Sequence, residues 1–453
     1  MPNAAEVFAT HVTGTELADI PAEAIDRAKI FILDTLGVGI AGSSAYGAAA
    51  LLRANRLWGD GTEASVWGRR DRVPAPAAAL LNAFQVHCQE YDCVCEPAVL
   101  HPMATLLPAA LAFAERQGGV SGNDLLAAVI LGVDVSAGLG IASTQGLRFF
   151  RPATAGGFGA AAAVARLARM DAETIVNVLG IQYAQTSGTM QAHVEASTVL
   201  PMQVGFNARA ALQSCDIART GLTAPRGSID GPYGYLPLME GGYDLQPVLD
   251  GLGRDWRVMQ LSHKPFPSGR ATHGAIEGVQ VLRQAHGFTP EEVAAIDITV
   301  PPLTARLIAR PDMPNPVPNY ARLCTAFVVA KVLRHGTLDL AHLRGDALND
   351  PDTHRLAALV QVHGDGNPDP NAMVPQDVRI SLRDGRVLDW HCDAMLANSS
   401  RPWSRDAHLA KFRRCWQFAA DPLPEDRAEA LIRMVDRLED VADLRSLIRL
   451  LVA

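Results

Sequence analysis

Val378-Arg-Ile-Ser-Leu382, Arg383-Asp-Gly-Arg386 and Val387-Leu-Asp-Trp-His391 read as two strands joined by a tight turn. Apolar and polar residues alternate in both runs, and Asp-Gly is the pair that accepts the backbone of a two-residue hairpin turn. Ile296-Asp-Ile-Thr-Val300 alternates in the same way. Residues 271–286 and 326–334 carry helical periodicity, so the middle of the chain is of mixed α+β character.

Outward from this segment the texture is helical on both sides. Within residues 22–42, Ile25, Ala28, Ile32, Leu33 and Leu36 recur at helical spacing, and residues 75–87, 102–117, 123–142 and 159–170 behave alike. Several of these runs are Ala-rich and apolar on more than one face, the mark of helices buried among helices. From Ser404 the chain is helical again, over 407–419 and then 425–451. The order helical, mixed, helical predicts a mainly α protein. One large all-helical domain is built from both chain ends (1–262 and 396–453), with a smaller α+β lid domain between them (263–395). Pro311 to Pro318 is a Pro-rich loop rather than a linker, and no internal repeat is present.

Composition narrows the function classes. At 453 residues the chain is long enough for two or three domains. The net charge is −8 and there is no dense basic run, which argues against nucleic acid as a partner. An acidic protein that binds an anion has to gather its cations in one cleft. The seven cysteines are odd in number and not spaced as a disulfide scaffold, which fits a reducing compartment. Met1 to Thr10 lacks the pattern of a signal peptide, and no apolar run reaches the roughly 18 residues of a membrane span. A cytoplasmic location without membrane attachment is the expectation.

Three stretches can carry chemistry. In the first, Glu90-Tyr-Asp92 precedes His101-Pro102, and Asp92 can orient His101, raise its basicity and fix its tautomer, making it a general base. A loop histidine beside an unrelated aspartate fits the same spacing. Cys93, Cys95 and His101 invite a zinc reading, but no fourth ligand stands at a usual spacing, so no metal is expected. In the second stretch, Lys264-Pro-Phe-Pro-Ser-Gly-Arg270-Ala-Thr-His273 is the densest cationic run. It reads either as a clamp for carboxylates, with Arg270 binding in bidentate fashion, or as a basic surface loop. The third, Phe149 to Gly159, is Gly-rich and opens a helix, but it is not the dinucleotide fingerprint. It offers either backbone N–H groups to a carboxylate or close helix packing.

At these residues the chain resembles the MmgE/PrpD family. The resemblance runs over Ile32-Leu-Asp-Thr-Leu-Gly37, Leu81-Asn-Ala83 through His87, Asp92 and His101-Pro102, and Arg151-Pro-Ala-Thr154. It continues through Leu179-Gly-Ile-Gln182, Ser187-Gly188, Gly231-Pro-Tyr-Gly234, Lys264 to His273, and Lys411-Phe-Arg413. It implies a helical domain with an α+β lid, a site between them, a homodimer, and chemistry on small polycarboxylates without a cofactor. Activities of the family include 2-methylcitrate dehydratase, cis-aconitate decarboxylase and iminodisuccinate epimerase. Three departures stand out: Leu200 replaces a family lysine, Gly269 a histidine of some members, and Phe327 a tyrosine. Arg151 stands where the family has histidine.

The expected reaction removes a proton next to a carboxylate. His101 is the first candidate base, oriented by Asp92, and His273 the second. Arg151, Lys264 and Arg270 are candidate electrophiles for the enolate, and Thr154 and Gln203 complete the candidate substrate-binding set. Loss of a β-substituent gives a lyase of dehydratase type, the favoured reading. Reprotonation gives an epimerase or isomerase, and a member that only binds a polycarboxylate is the third.

Overall fold

Helices that are apolar all round have to be covered by other helices, and that requirement sets the architecture seen in a computed structural model, which describes residues 3–453. Met1 and Pro2, the start of the stretch read for a signal peptide, lie outside the described residues. The large domain begins with α1 (Ala4–Gly14), α2 (Ala22–Gly42), α3 (Ala48–Arg56), α4 (Ala75–His87), α5 (Pro102–Gln117) and α6 (Gly122–Ile141). It continues with α7 (Thr154–Leu167), α8 (Ala172–Gln185), α9 (Gln191–Val194), α10 (Val199–Ala218) and α11 (Gln246–Asp250). After the middle domain, α12 (Arg405–Trp416), α13 (Glu425–Asp436) and α14 (Arg445–Ile448) return to it. One apolar core runs through residues of the first part, such as Phe31, Leu107 and Phe158, and of the last, such as Phe412, Leu431 and Leu447.

Helix α6 is long and apolar enough to cross a membrane by length and composition, contrary to the expectation that no segment would be. Here it is buried among its neighbours, and its acid is matched. Asp134 lies 3.1 Å from His11 Nε2 and accepts the Arg257 backbone N–H at 2.9 Å.

The large domain is not purely helical. Ala64–Ser65 (β1) pairs with Arg72–Val73 (β2), and Val94–Cys95 (β3) pairs antiparallel with Leu261–Ser262 (β4). The middle domain holds a four-stranded sheet of Val293–Val300 (β5), Val360–Gly364 (β6), Gln376–Leu382 (β7) and Val387–Cys392 (β8), in the order β6-β5-β7-β8. The β7–β8 hairpin turns at Gly385, which adopts a positive φ of 92°. Strand β6 escaped sequence reading because it is a short parallel edge of five residues, none of them fully buried. The sheet packs on His273–His286 and Thr325–His335 around an apolar core that includes Ile276, Phe327 and Ile380.

The helix expected over 425–451 is broken into α13, two 3-10 turns and α14. The break comes at Arg437, where φ is −119° and ψ 43°.

Helices α2 and α4 approach so closely that a Cβ on Gly42 would lie 1.9 Å from the Gln85 carbonyl oxygen. Gly42→Ala therefore has to push α4 away. A loss of about 1–3 kcal/mol, the usual cost of overpacking, is expected as a lower midpoint in urea unfolding. An unchanged midpoint would show that the helices part freely.

Candidate active site

The site is assembled where α4 ends. His87 is the last residue of that helix. The chain then turns through Glu90, whose φ of 50° places a non-glycine residue in the left-handed region. Such strain persists only where the surroundings enforce it. After Asp92 the chain enters β3, and a tight reversal bonds the Cys95 N–H to the Leu100 carbonyl at 2.7 Å, with Val99 at its bend also at positive φ (48°). His101 follows as the residue before α5, with Pro102 in the first turn, where its missing N–H costs nothing. The pairing of β3 with β4 sets Lys264, two residues past β4, beside the same turn. A two-residue ladder thus brings together groups more than 160 positions apart in sequence.

Asp92 is fully buried and lies between two histidines. The His87 Nδ1–H donates to Asp92 Oδ2 at 2.9 Å, and the same oxygen lies 3.3 Å from His101 Nδ1. His101 Nδ1 is also 2.9 Å from the Cys93 carbonyl oxygen. A carbonyl can only accept, so Nδ1 of His101 carries the proton and its Nε2 offers a lone pair. Lys264 Nζ lies 2.7 Å from Glu90 Oε2 and 3.7 Å from Asp92 Oδ1.

The two rings, 5.0 Å apart between centroids, are driven in opposite directions. Burial pushes the His87 pKa down, but Asp92 and Glu90 outweigh it, and the net shift is upward from 6.5. At His101 burial prevails over Asp92, helped by Lys264 and His87, and the net shift is downward. Burial alone would raise Glu90; Lys264 and the histidines hold it at about 2. Asp92 is held well below its ordinary value by His101, His87 and Lys264, against the effect of burial. The five-group cluster therefore holds two histidines whose proton affinities are driven apart, His87 upward and His101 downward.

Both rings line a small cavity between the domains. Glu90, Val94, Phe150 and His193 line it from the large domain, and Arg270, Leu307, Ile308 and Met373 from the middle one. His87 Nε2 has no protein partner and lies 3.8 Å from Glu90 Oε1. His87 and His193 are the functional candidates that sequence reading did not single out. His87 could have been found from its place at a helix end five residues before Asp92; His193 carried no such signal.

The other expected site residues are placed differently. Arg151 does not line the cavity. Its guanidinium donates to Glu240 at 2.9 Å, Ser143 Oγ at 2.7 Å and the Gln145 carbonyl at 2.9 Å, which leaves it no role as an electrophile. Thr154 is buried against the Tyr235 hydroxyl at 3.2 Å. Gln203 supports the loop that leads to His193, accepting the Thr189 N–H at 2.7 Å. Arg270 reaches the cavity, but its charge is matched by Glu96 Oε1, which accepts from Nε at 2.8 Å and lies 2.7 Å from Nη2, the latter making no aligned hydrogen bond. His273 donates from Nε2 to the Ser268 carbonyl at 3.3 Å and accepts from Arg270 at Nδ1, so neither nitrogen is free to take a proton. The clamp expected at residues 264–273 is thus an internal one, with the protein's own carboxylates in it. Leu200 and Phe327 are buried core residues, whereas Gly269 lines the cavity.

Two sets of three metal-competent side chains converge among the described residues: His87, Asp92 and His101, and Asp34, His263 and His408. In each, a lysine ammonium already neutralises the aspartate, Lys264 in the first and Lys411, 2.8 Å from Asp34, in the second. Cys93 and Cys95 belong to neither set. Burial raises both thiols, Cys95 to about 12, which disfavours the thiolate that a metal needs.

A helical domain closed by both ends of the chain, an α+β domain beside it, and a histidine–aspartate–lysine cluster at their junction define a two-domain protein with its titratable groups gathered between the domains. Family models for the MmgE/PrpD N-terminal and C-terminal domains match residues 6–248 and 266–440, and the chain belongs to the MmgE/PrpD family. Among curated relatives, cis-aconitate decarboxylase of Mus musculus is 27% identical, over 98% of this chain and 93% of the relative. That of Homo sapiens is 25% identical, over 98% and 94%, and that of Aspergillus terreus 24%, over 95% and 92%.

Removing Lys264 leaves Glu90 and Asp92 buried with one cation fewer. Lys264→Met is expected to lower stability by about 3–5 kcal/mol, as breaking a buried ion pair does. The check is urea unfolding with a far-UV signal. Wild-type stability in this variant would mean that the two carboxylates do not depend on the lysine.

Proposed function

We propose that this chain is a lyase that acts on a small di- or tricarboxylate by proton transfer next to a carboxylate, using its own side chains. The observation that carries the reading is Asp92 held between two buried histidines, with His87 shifted upward and His101 downward. His101, neutral with Nε2 free, is the base. His87, held as imidazolium by Asp92 and Glu90, is the acid. Loss of water needs both: one group takes a proton from carbon and the other protonates the leaving hydroxyl. Loss of CO2 takes its electron pair from the breaking C–CO2 bond and needs only the acid, which protonates the far carbon of the shifting double bond. The relatives' activity favours loss of CO2. The apolar cavity wall favours it too, because a carboxylate stripped of water is raised in energy relative to the spreading charge of the transition state.

His101→Ala is expected to lower turnover of any small di- or tricarboxylate that loses a carbon proton by about 10²–10⁴, the usual worth of a general base, with the circular dichroism spectrum unchanged. The assay is proton NMR in heavy water, which reports CO2 or water loss from the product spectrum and deuterium uptake at carbon. Deuterium uptake without loss of either group would support the isomerase reading instead. Neither uptake nor product with any di- or tricarboxylate would support the binding-only reading.

The pH profile follows from the two shifts. The base works when neutral, so kcat/KM rises as pH climbs through the lowered His101 value, below 6.5. The acid works when protonated, so kcat/KM falls as pH passes the raised His87 value, above 6.5. A bell straddling pH 6.5 is expected, and Asp92→Asn should shift its alkaline limb to lower pH. A profile flat from pH 5 to 8 would count against the pair.

A further inference from the structure

The carboxylates and cations around the proton-transfer cluster cancel. Lys264 meets Glu90, Arg270 meets Glu96, and the His87 imidazolium meets Asp92. A tricarboxylate entering this cavity would bring three negative charges to groups already neutralised, and buried charge without a partner is costly.

Of the nearby arginines that form no ion pair among the described residues, Arg306 donates to the Leu147 carbonyl and Arg322 to Gln89, and Arg310 is the one that stands directly behind a cavity side chain. Arg310 forms no ion pair among the described residues, and its Nε and Nη1 are buried without an acceptor. Its Nη2 donates to the His193 carbonyl at 2.7 Å and to His193 Nδ1 at 3.1 Å, and its guanidinium stacks over the Tyr320 ring. Because Nδ1 of His193 accepts, its proton sits on Nε2, the ring nitrogen with no partner among the described residues. His193 lines the cavity with His87 and His101. It is held in place by a strained turn, with Ala196 at a φ of 52°. Burial and Arg310 push its pKa down to about 3, so it remains a neutral donor with a positive charge behind it. Much of the remaining wall is apolar.

We propose that the cavity takes a small dicarboxylate bearing an alkyl arm. One carboxylate is bound by His193 with Arg310 behind it, and the other lies at His87 and His101. The alkyl arm sits against Leu307, Ile308, Leu323 and Met373, where a tricarboxylate would set its third charge. The placement of the second carboxylate rests on the acid–base reading of His87 and His101. Arg310 acts through His193 and is a positioning residue.

Citraconate and cis-aconitate form a matched pair for the test, since they share a cis-dicarboxylate and differ by a methyl against a carboxymethyl arm. Isothermal titration calorimetry of the wild type is expected to show citraconate bound at least tenfold more tightly. His193→Leu should weaken citraconate by about tenfold or more, the worth of a charge-assisted hydrogen bond. His193→Gln, which keeps an N–H donor, should recover most of this loss. Crotonate, with a single carboxylate, should bind wild type and His193→Leu alike. Arg310→Met should weaken citraconate more than Arg310→Lys does. Cis-aconitate bound as tightly as citraconate, or citraconate indifferent to His193→Leu, would overturn the proposal. Binding does not require turnover, so absent deuterium uptake would count against the lyase reading alone and leave these affinities to decide the substrate class.

Discussion

Asp92 is an ionised carboxylate with no access to water, and the architecture around it is what makes that state tenable. Transferring such a charge from water costs several kcal/mol even after relaxation. Recovery comes from three directions: His87 at the end of α4, His101 at the start of α5, and Lys264 beyond the β3–β4 ladder. Each is fixed by backbone rather than by a flexible loop. The strained φ angles of Glu90 and Val99 are where the chain bends to bring them together. One carboxylate placed between two imidazoles also cannot serve both equally. The ring that has it as sole partner at Nδ1 is shifted upward, while the ring that shares its Nδ1–H with the Cys93 carbonyl is shifted downward, burial being the largest cause.

Much of the fold was legible because it follows from periodicity. The Asp-Gly hairpin, the mixed middle segment and the buried Ala-rich helices are local patterns, and α2, α4 and α5 begin and end where their apolar spacing does. What was not legible has a common cause, pairing at long range. The parallel edge strand β6 alternates over only four residues before Gly364, too short to announce itself without β5 beside it. The ladder of β3 with β4 is two residues long and carries no sequence signature.

The site divides along the same line. Asp92 and His101 stand close enough in sequence for their relation to be weighed from spacing. That Arg151 belongs to Glu240 and Arg270 to Glu96 depends on contacts 89 and 174 residues apart. Sequence shows a cation and the chemistry it can do; only the folded chain shows whether a carboxylate of the protein already holds it. His193 escaped for the converse reason. A lone histidine on the short helix α9 has no visible partner until Arg310 arrives from the other domain.

The division of roles between the two histidines is open to direct observation by neutron crystallography of the deuterium-exchanged protein at pH 7. Deuterium is expected on both nitrogens of His87 and on Nδ1 alone of His101, with none on Asp92. A His101 deuterated at both nitrogens beside a singly deuterated His87 would contradict the assignment of base and acid, as would a deuteron on the Asp92 carboxylate.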